Sequence, residues 1–317
     1  MTMTDMAQRR DPAWYTPTDL PTELSESDTS ISNGLGVGAP GKVGLLEMGL
    51  DRCAGMTRVR RQFQQSPLYT YRPMYLDPCR PDMAFVVVMQ SGDGFVQGDR
   101  CRIDIDCGPG AAAHVTTQAA TNVFATRQNF ASQLVYLRSG RGAVLEYLPE
   151  PVVPFRGSRF FQRTCLTADS NSTMIVGETL LPGRVARNEG HDYDVFRAET
   201  ELRDPDQKLL FADVLHFEPT GGQRASPIDP LTGQDVIATL YVITARTDPA
   251  DMVAVLRVAL SGCADVLAGV SELPNRCGAI VRLLGPDSRT VRAAMAIAWN
   301  AGRLASLGAP APNLRKG

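Results

Sequence analysis

The sequence predicts a mainly β fold that ends in a helix–strand–helix segment, and two patterns along the chain support this prediction. From Gly41 to about Arg246, short apolar runs alternate with turn residues, as in a protein built from strands. After Arg246 the apolar residues recur at roughly helical spacing. With 44% hydrophobic and 21% charged residues, the chain can bury a substantial core and is not expected to be disordered as a whole.

The N-terminal 40 residues differ in composition from the rest of the chain. They are rich in Thr, Ser, Pro, Asp and Gly and have no periodic apolar pattern, so we expect residues 1–40 to form a flexible tail. Residues 41–317 are expected to form one β-rich domain. Its predicted strands are residues 85–89, 101–107, 113–117, 134–137, 143–148, 160–166, 174–180, 193–202, 209–217 and 236–245.

The C-terminal part of this domain is predicted to contain two helices and one strand. The first helix begins at Asp248 and Pro249 and extends toward Pro274, either unbroken or with a break at Gly262. A strand is expected over residues 279–284. The second helix is expected to begin after Pro286, with a shared apolar stripe formed by Val291, Met295, Ala298 and Leu304.

Charge and hydropathy exclude several classes of protein. The 32 basic residues are balanced by 34 acidic ones, so there is no basic excess to bind nucleic acid. The longest strongly apolar run, Ala84–Met89, is far shorter than the roughly 20 residues that cross a bilayer, so no membrane association is expected. Because the first ten residues lack the apolar core of a signal peptide, a cytoplasmic location is expected.

Two loop motifs contain polar residues between predicted strands. Asp93 and Asp99 lie in a glycine-rich stretch, residues 91–99, where each could cap a turn through its side chain. Residues 116–122 are small or carry hydroxyl groups, which suits either close packing or the wall of a polar, water-accessible passage. Neither motif by itself selects one of these alternatives.

Further carboxylates occur in or next to predicted strands. Glu178 lies in an apolar run and requires a partner, either Arg184 in an ion pair or a metal ion. Residues 189–194 combine Glu189 with His191 and two aspartates, donors that suit divalent ions such as nickel or zinc. The same residues are also typical of a solvated turn.

The usual enzyme motifs are missing from the sequence: it has no HExxH, no GxSxG, no GxxxxGK[ST] and no GxGxxG that opens a helix. One enzymatic alternative remains, a β-rich hydrolase that uses Asp99 and Glu178 as paired carboxylates. That mechanism requires the two groups to lie roughly 5 to 10 Å apart in an open cleft.

Several motifs in a fixed order give the sequence a family resemblance. They are Gly94–Asp99, Thr116–Thr121, Leu145–Pro149, Gly177–Arg184 and Trp299–Gly308. Together they resemble the UreD, or UreH, urease accessory proteins, from about Gly41 to Arg315. The resemblance implies a β-rich superhelical or barrel-like array with two C-terminal helices, and a non-enzymatic maturation factor.

The resemblance also implies partners and a cargo. Proteins of this kind are described as scaffolds between apo-urease and a helical accessory protein, UreF, which recruits the nickel-carrying GTPase UreG. Nickel is thought to move through a polar internal passage, so Ni²⁺ in transit is expected and no tightly bound cofactor. The C-terminal helix and residues 310–316 are expected to contact the UreF-type partner.

Four acids of this sequence match acids of the family's motifs. Asp99 matches the Asp that ends the Gly-rich motif, Glu178 the acid before the Gly-Arg pair, and Glu189 the Glu after it. Asp213 falls within one residue of a fourth family acid. The resemblance implies that these four residues contact nickel transiently. This chain departs from the family's pattern at Asp93, Asn122, Asn188 and His191.

Overall fold

The protein is a mainly β structure that winds into a β-solenoid of about four turns. The computed structural model describes residues 6–17, 19–25, 41–126, 129–219 and 233–314. The strands are β1 Val43–Cys53, β2 Met56–Gln65, β3 Leu68–Thr70, β4 Ala84–Gln90, β5 Arg100–Cys107, β6 Ala112–Thr117, β7 Thr121–Val123, β8 Ala131–Ser139, β9 Val144–Tyr147, β10 Val152–Pro154, β11 Arg159–Ala168, β12 Thr173–Leu180, β13 Gly183–Arg184, β14 Glu189–Gly190, β15 Val195–Arg203, β16 Leu209–Phe217, β17 Val236–Thr244, β18 Leu267–Glu272 and β19 Gly278–Gly285. The α-helices are α1 Met6–Arg10, α2 Thr22–Ser25, α3 Pro249–Leu260 and α4 Ser288–Leu307.

Two large sheets face each other. The first sheet has the order β16-β15-β11-β8-β5-β1-β2, and the second has the main path β18-β19-β17-β12-β9-β6-β4-β3. Strands β1, β5, β8, β11 and β15 are parallel neighbours in the first sheet, as β4, β6, β9 and β12 are in the second. Parallel neighbours need a crossover connection, and here the strand in the opposite sheet supplies it. This winding confirms the superhelical β array.

The main hydrophobic core lies between the sheets. Side chains such as Ile103, Val135 and Val176 alternate inward along their strands and are almost fully buried. A second core lies on the outer face of the second sheet, where α3 and α4 pack against β17 and β19. The two C-terminal helices are therefore confirmed, and they cover one face of the solenoid.

The segment after α3 corrects the sequence prediction. The helix ends at Leu260, and the apolar residues Leu267 and Val270 belong to β18 instead of continuing the helix. Only Val270 of this strand is buried, so its side-chain spacing gave little indication of a strand. Antiparallel pairing with β19 determines its conformation.

The N-terminal segment is a second correction, because residues 6–17 and 19–25 are not a flexible tail. They lie on the outer face of the first sheet, where Tyr15 and Leu24 are buried. The Arg102 guanidinium lies over the rings of Trp14, at 3.5 Å, and Tyr136, at 4.0 Å. Single side chains, and not a periodic apolar face, hold this segment on the sheet, so the sequence shows no apolar periodicity here. The rest of the expected tail, residues 1–5, 18 and 26–40, lies outside the described residues.

In the described ranges no helix combines the length and the apolar character needed to cross a bilayer.

Candidate functional site

A row of polar side chains crosses the inner face of the second sheet. On β12, Met174 and Val176 point into the core between the sheets, and alternation places Glu178 on the same face. Glu178 is opposite Thr239 of β17, and Thr239 is opposite Arg282 of β19. Strand register therefore brings an acid, a hydroxyl and a guanidinium side by side.

Asp213, an acid of the first sheet, lies next to this row. Asp213 of β16 accepts hydrogen bonds through Oδ2 from the Tyr241 hydroxyl and from Nη2 of Arg282, each at 2.6 Å. The Asp213 and Arg282 side chains are 23% and 28% exposed, so solvent reaches this point between the sheets. We call Glu178, Asp213, Thr239, Tyr241 and Arg282 the interior polar cluster.

The electrostatics of the cluster centre on Glu178. Burial and the charge of Asp213 raise the pKa of Glu178, Arg282 acts in the opposite direction, and the net value is about 7. Glu178 has no hydrogen-bond or ion-pair partner among the described residues. Burial and the two acids also raise the pKa of Tyr241. The cluster thus holds a carboxyl group that can gain or lose a proton near neutral pH, beside a carboxylate anchored by two donors.

Arg184 is not the partner of Glu178, which corrects that sequence hypothesis. Arg184 instead forms a bidentate pair with Glu189, with Nε–Oε2 and Nη2–Oε1 distances of 2.8 and 2.7 Å. The hydrogen bond from Arg184 lowers the pKa of Glu189. The antiparallel pairing of β13 with β14 holds the two residues opposite each other. Glu189 therefore lies in an ion pair, apart from the interior polar cluster.

Asp99 lies in a structural position at the start of β5. It is 1% exposed, and its two carboxylate oxygens each accept a backbone N–H, from Lys42 and from Val96, at 2.9 Å. Burial raises its pKa, while these amide donors act in the opposite direction. Its geometry is that of the turn cap described by the first sequence alternative. The hydrolase alternative, which requires Asp99 in an open cleft, is wrong because this carboxylate is enclosed.

The motif at residues 116–122 lines a cavity. Together with Asp93 and Gln133, residues 117–122 surround a space of about 330 Å³. Ile103 of the first sheet and Val88 of the second also line it, so the cavity extends between the two sheets. Of the two alternatives for this motif, the polar cavity wall is the one that the structure supports.

A buried charge network, which the sequence analysis missed, ties α4 to the solenoid. His114 Nδ1 of β6 lies 2.7 Å from Oε2 of Glu146 on β9, and Glu146 Oε1 lies 3.4 Å from Nε of Arg303. Arg303 also pairs with Asp77. All four side chains are at most 1% exposed. The only signal in the sequence was an arginine on the apolar face of a helix.

One surface group comes close to the geometry of a metal site. Among the described residues, Glu23, His216 and Glu218 place potential ligand atoms within 4.8 Å of one another. Glu23 and Glu218 are exposed, and His216 Nε2 lies 3.1 Å from Glu218. None of these residues was predicted from the sequence. Of the four predicted acids, the structure brings together Glu178 and Asp213.

The fold and its interior polar cluster define a β-solenoid protein with ionisable groups between its sheets. A family described as UreD urease accessory protein matches residues 42–317. Urease accessory protein UreD 2 of Streptomyces griseus is 39% identical over 90% of this chain and 98% of its own length. Urease accessory protein UreD of Cenarchaeum symbiosum is 32% identical over 89% of this chain and 99% of its own. The chain belongs to the UreD urease accessory protein family.

Membership in this family supports a role in urease maturation. The relatives are accessory proteins rather than enzymes, in agreement with the missing catalytic motifs.

Proposed function

We propose that the protein is a non-enzymatic maturation factor that links apo-urease to a complex of UreF-type and UreG-type proteins and passes nickel between its two sheets. The observation that carries the proposal is the interior polar cluster. Glu178 and Asp213 come from opposite sheets, meet in a region that solvent reaches, and lie close enough for Asp213 to affect the pKa of Glu178.

The donor chemistry of the cluster suits an ion in transit. Carboxylate and hydroxyl oxygens are poorer nickel ligands than imidazole or thiolate groups, so an incomplete oxygen site releases the ion readily. Arg282 adds a competing positive charge that further weakens cation binding. In this proposal Glu178 accepts the ion as it loses its proton, and Asp213 supplies a second oxygen.

The cavity beside residues 117–122 supports the same route. It extends between the sheets and is lined by Asp93, Asn122 and Gln133, whose oxygen atoms can contact a hydrated cation.

Asp99 and Glu189 then have supporting roles in the fold: Asp99 caps a turn, and Glu189 forms an ion pair with Arg184. We place the protein in the cytoplasm with these partners, and the C-terminal region contacts the UreF-type protein.

The test uses the full chain co-expressed with urease and the other accessory proteins. The double variant Glu178→Gln with Asp213→Asn should lower nickel per urease active site and urease activity at least about threefold, while a pull-down still recovers the complex. The matched control is Glu201→Gln, which neutralises a carboxylate paired with Arg203 on the first sheet. Normal nickel content in the double variant would exclude the route through the cluster.

A further inference from the structure

A larger cavity lies on the outer face of the second sheet, and Glu178 of the interior polar cluster is among the residues that border it. It is bordered by α4, by the turn at residues 148–151 and by residues 311–314, and its volume is about 470 Å³. His114 lines it, whereas the next residue on β6, Val115, points into the core between the sheets. The volume lies within the range of sites for small organic ligands.

Two buried nitrogen atoms at this cavity have no hydrogen-bond partner among the residues that the structure describes. His114 is 1% exposed and Trp299 is 9% exposed, and both side chains line the cavity with ring centroids 5.3 Å apart. Within the described part of the chain, neither Nε2 of His114 nor Nε1 of Trp299 has a hydrogen-bond partner. Because buried polar groups are generally hydrogen-bonded, two such atoms at one cavity indicate a place for a ligand.

The buried charge network determines which imidazole nitrogen faces the cavity. The Glu146 carboxylate accepts the hydrogen bond from Nδ1 of His114, which leaves Nε2 for the cavity. Nε1 of Trp299 is a hydrogen-bond donor, because an indole nitrogen has no acceptor capacity.

The other walls of the cavity are mostly apolar. Leu148, Met295 and Leu314 line it, and an ion pair between Arg292 and Glu150 lies at its edge, with a 2.8 Å distance. Such a site matches an apolar body that has one polar group. We propose that this cavity binds a small, largely apolar organic molecule through a carboxylate or amide group, whose oxygen accepts a hydrogen bond from Nε1 of Trp299 and whose second polar atom contacts Nε2 of His114.

The test is a ligand-observed NMR titration of the full chain with three probes of similar shape. Phenylacetate carries a carboxylate, phenylacetamide carries a neutral carbonyl group, and toluene has no acceptor. At least one of the two acceptor probes should bind, with a Kd about tenfold lower than that of toluene. Binding of phenylacetate alone would identify an anionic ligand, and binding of phenylacetamide would identify a neutral carbonyl ligand.

Two substitutions on α4 locate the binding. Ala296 is exposed and lines the cavity, so Ala296→Trp should fill it and reduce binding more than tenfold without disturbing the core. Ala293 is exposed on the same helix but does not line the cavity, so Ala293→Trp should leave the Kd unchanged. Trp299→Phe keeps a ring and removes the donor, and should raise the Kd about threefold to tenfold.

The proposal fails if neither acceptor probe binds, if toluene binds as tightly as both, or if Ala296→Trp leaves binding intact. The first result would mean that the cavity holds only water. Because these readouts do not involve urease or nickel, their failure is distinguishable from failure of the proposed function.

Discussion

Glu178 and Asp213 belong to opposite sheets, and the charge of Asp213 adds to the effect of burial in raising the pKa of Glu178 to about 7. The Arg282 guanidinium, which pairs with Asp213, acts in the opposite direction. This arrangement makes the protonation of one interior carboxyl group sensitive to pH near neutrality.

The variant Glu178→Gln should lose a pH dependence of stability. The folded protein binds the Glu178 proton more tightly than the unfolded chain, so this group's contribution is present at low pH and is lost as pH rises toward 7 and above. From pH 4.5 to pH 8, the free energy of unfolding of the wild type should fall relative to the variant by on the order of 2 kcal/mol. Urea unfolding at several pH values measures this difference. Parallel pH curves for the two proteins would contradict the prediction.

Arg282→Met should change the titration of the same carboxyl group. Removing the cation leaves Asp213 without its ion-pair partner and leaves Glu178 beside an uncompensated negative charge, so the pKa of Glu178 should rise above 7. The side-chain carboxyl carbon of Glu178, observed by NMR across a pH series, reports this value directly. As a control, Arg203→Met removes an exposed cation on the first sheet and should leave the Glu178 titration unchanged. A fall in the Glu178 pKa after Arg282→Met would contradict the conclusion that Arg282 lowers this pKa in the wild type.

Arg303→Met should destabilise the fold by about 3 to 5 kcal/mol, because it leaves the buried carboxylates of Asp77 and Glu146 without their cation. Arg292→Met is the matched control on the same helix. Arg292 is about half exposed, so breaking its pair with Glu150 should cost about 1 kcal/mol or less. Denaturant unfolding compares the two variants. Equal losses would show that the buried network contributes no more than a surface ion pair.

Trp14→Ala should loosen the N-terminal segment from the first sheet. The substitution removes one of the two rings that contact the Arg102 guanidinium and should reduce stability by about 1 kcal/mol. Trp14→Phe keeps an aromatic face and should lose less. Hydrogen exchange over residues 6–25 measures the release of the segment. Unchanged protection in Trp14→Ala would show that Tyr15 and Leu24 hold the segment without this contact.

Asp99→Ala should act on folding and not on nickel transfer. The variant leaves the N–H groups of Lys42 and Val96 without an acceptor, which should cost about 1 to 3 kcal/mol. Nickel delivered to urease per folded molecule should match the wild type. Lower delivery by a correctly folded Asp99→Ala protein would return Asp99 to the route that the family resemblance implied.

The sequence predicted the solenoid strands well where apolar residues recur within one strand. The ten runs between residues 85 and 245 all correspond to strands, because alternating or continuous apolar residues are required wherever a strand borders a core. Strands β1 and β2 were missed, β1 even though its Leu45, Leu46, Met48 and Leu50 are buried. In β2 most residues are polar and only Thr57 is buried, so its edge position left little apolar pattern.

The candidate site was predicted only in part. Glu178 was recognised as an acid that needs a partner, and Asp213 was named from the family resemblance, but nothing near either residue in the sequence indicated that they meet. Their proximity depends on the register of β12 with β17 and on the packing of β16 across the core. The pairing of Arg184 with Glu189 was missed for the same reason.

The sequence by itself determined the β character of the chain, the positions of most strands, the two late helices and the family, because these depend on local apolar patterns and ordered motifs. The tertiary structure alone decided which charged groups became partners. Glu146 and Arg303 lie far apart in the chain and meet only after α4 packs on the second sheet. An ion pair depends on where backbone winding places two side chains, and the local sequence contains no measure of that distance.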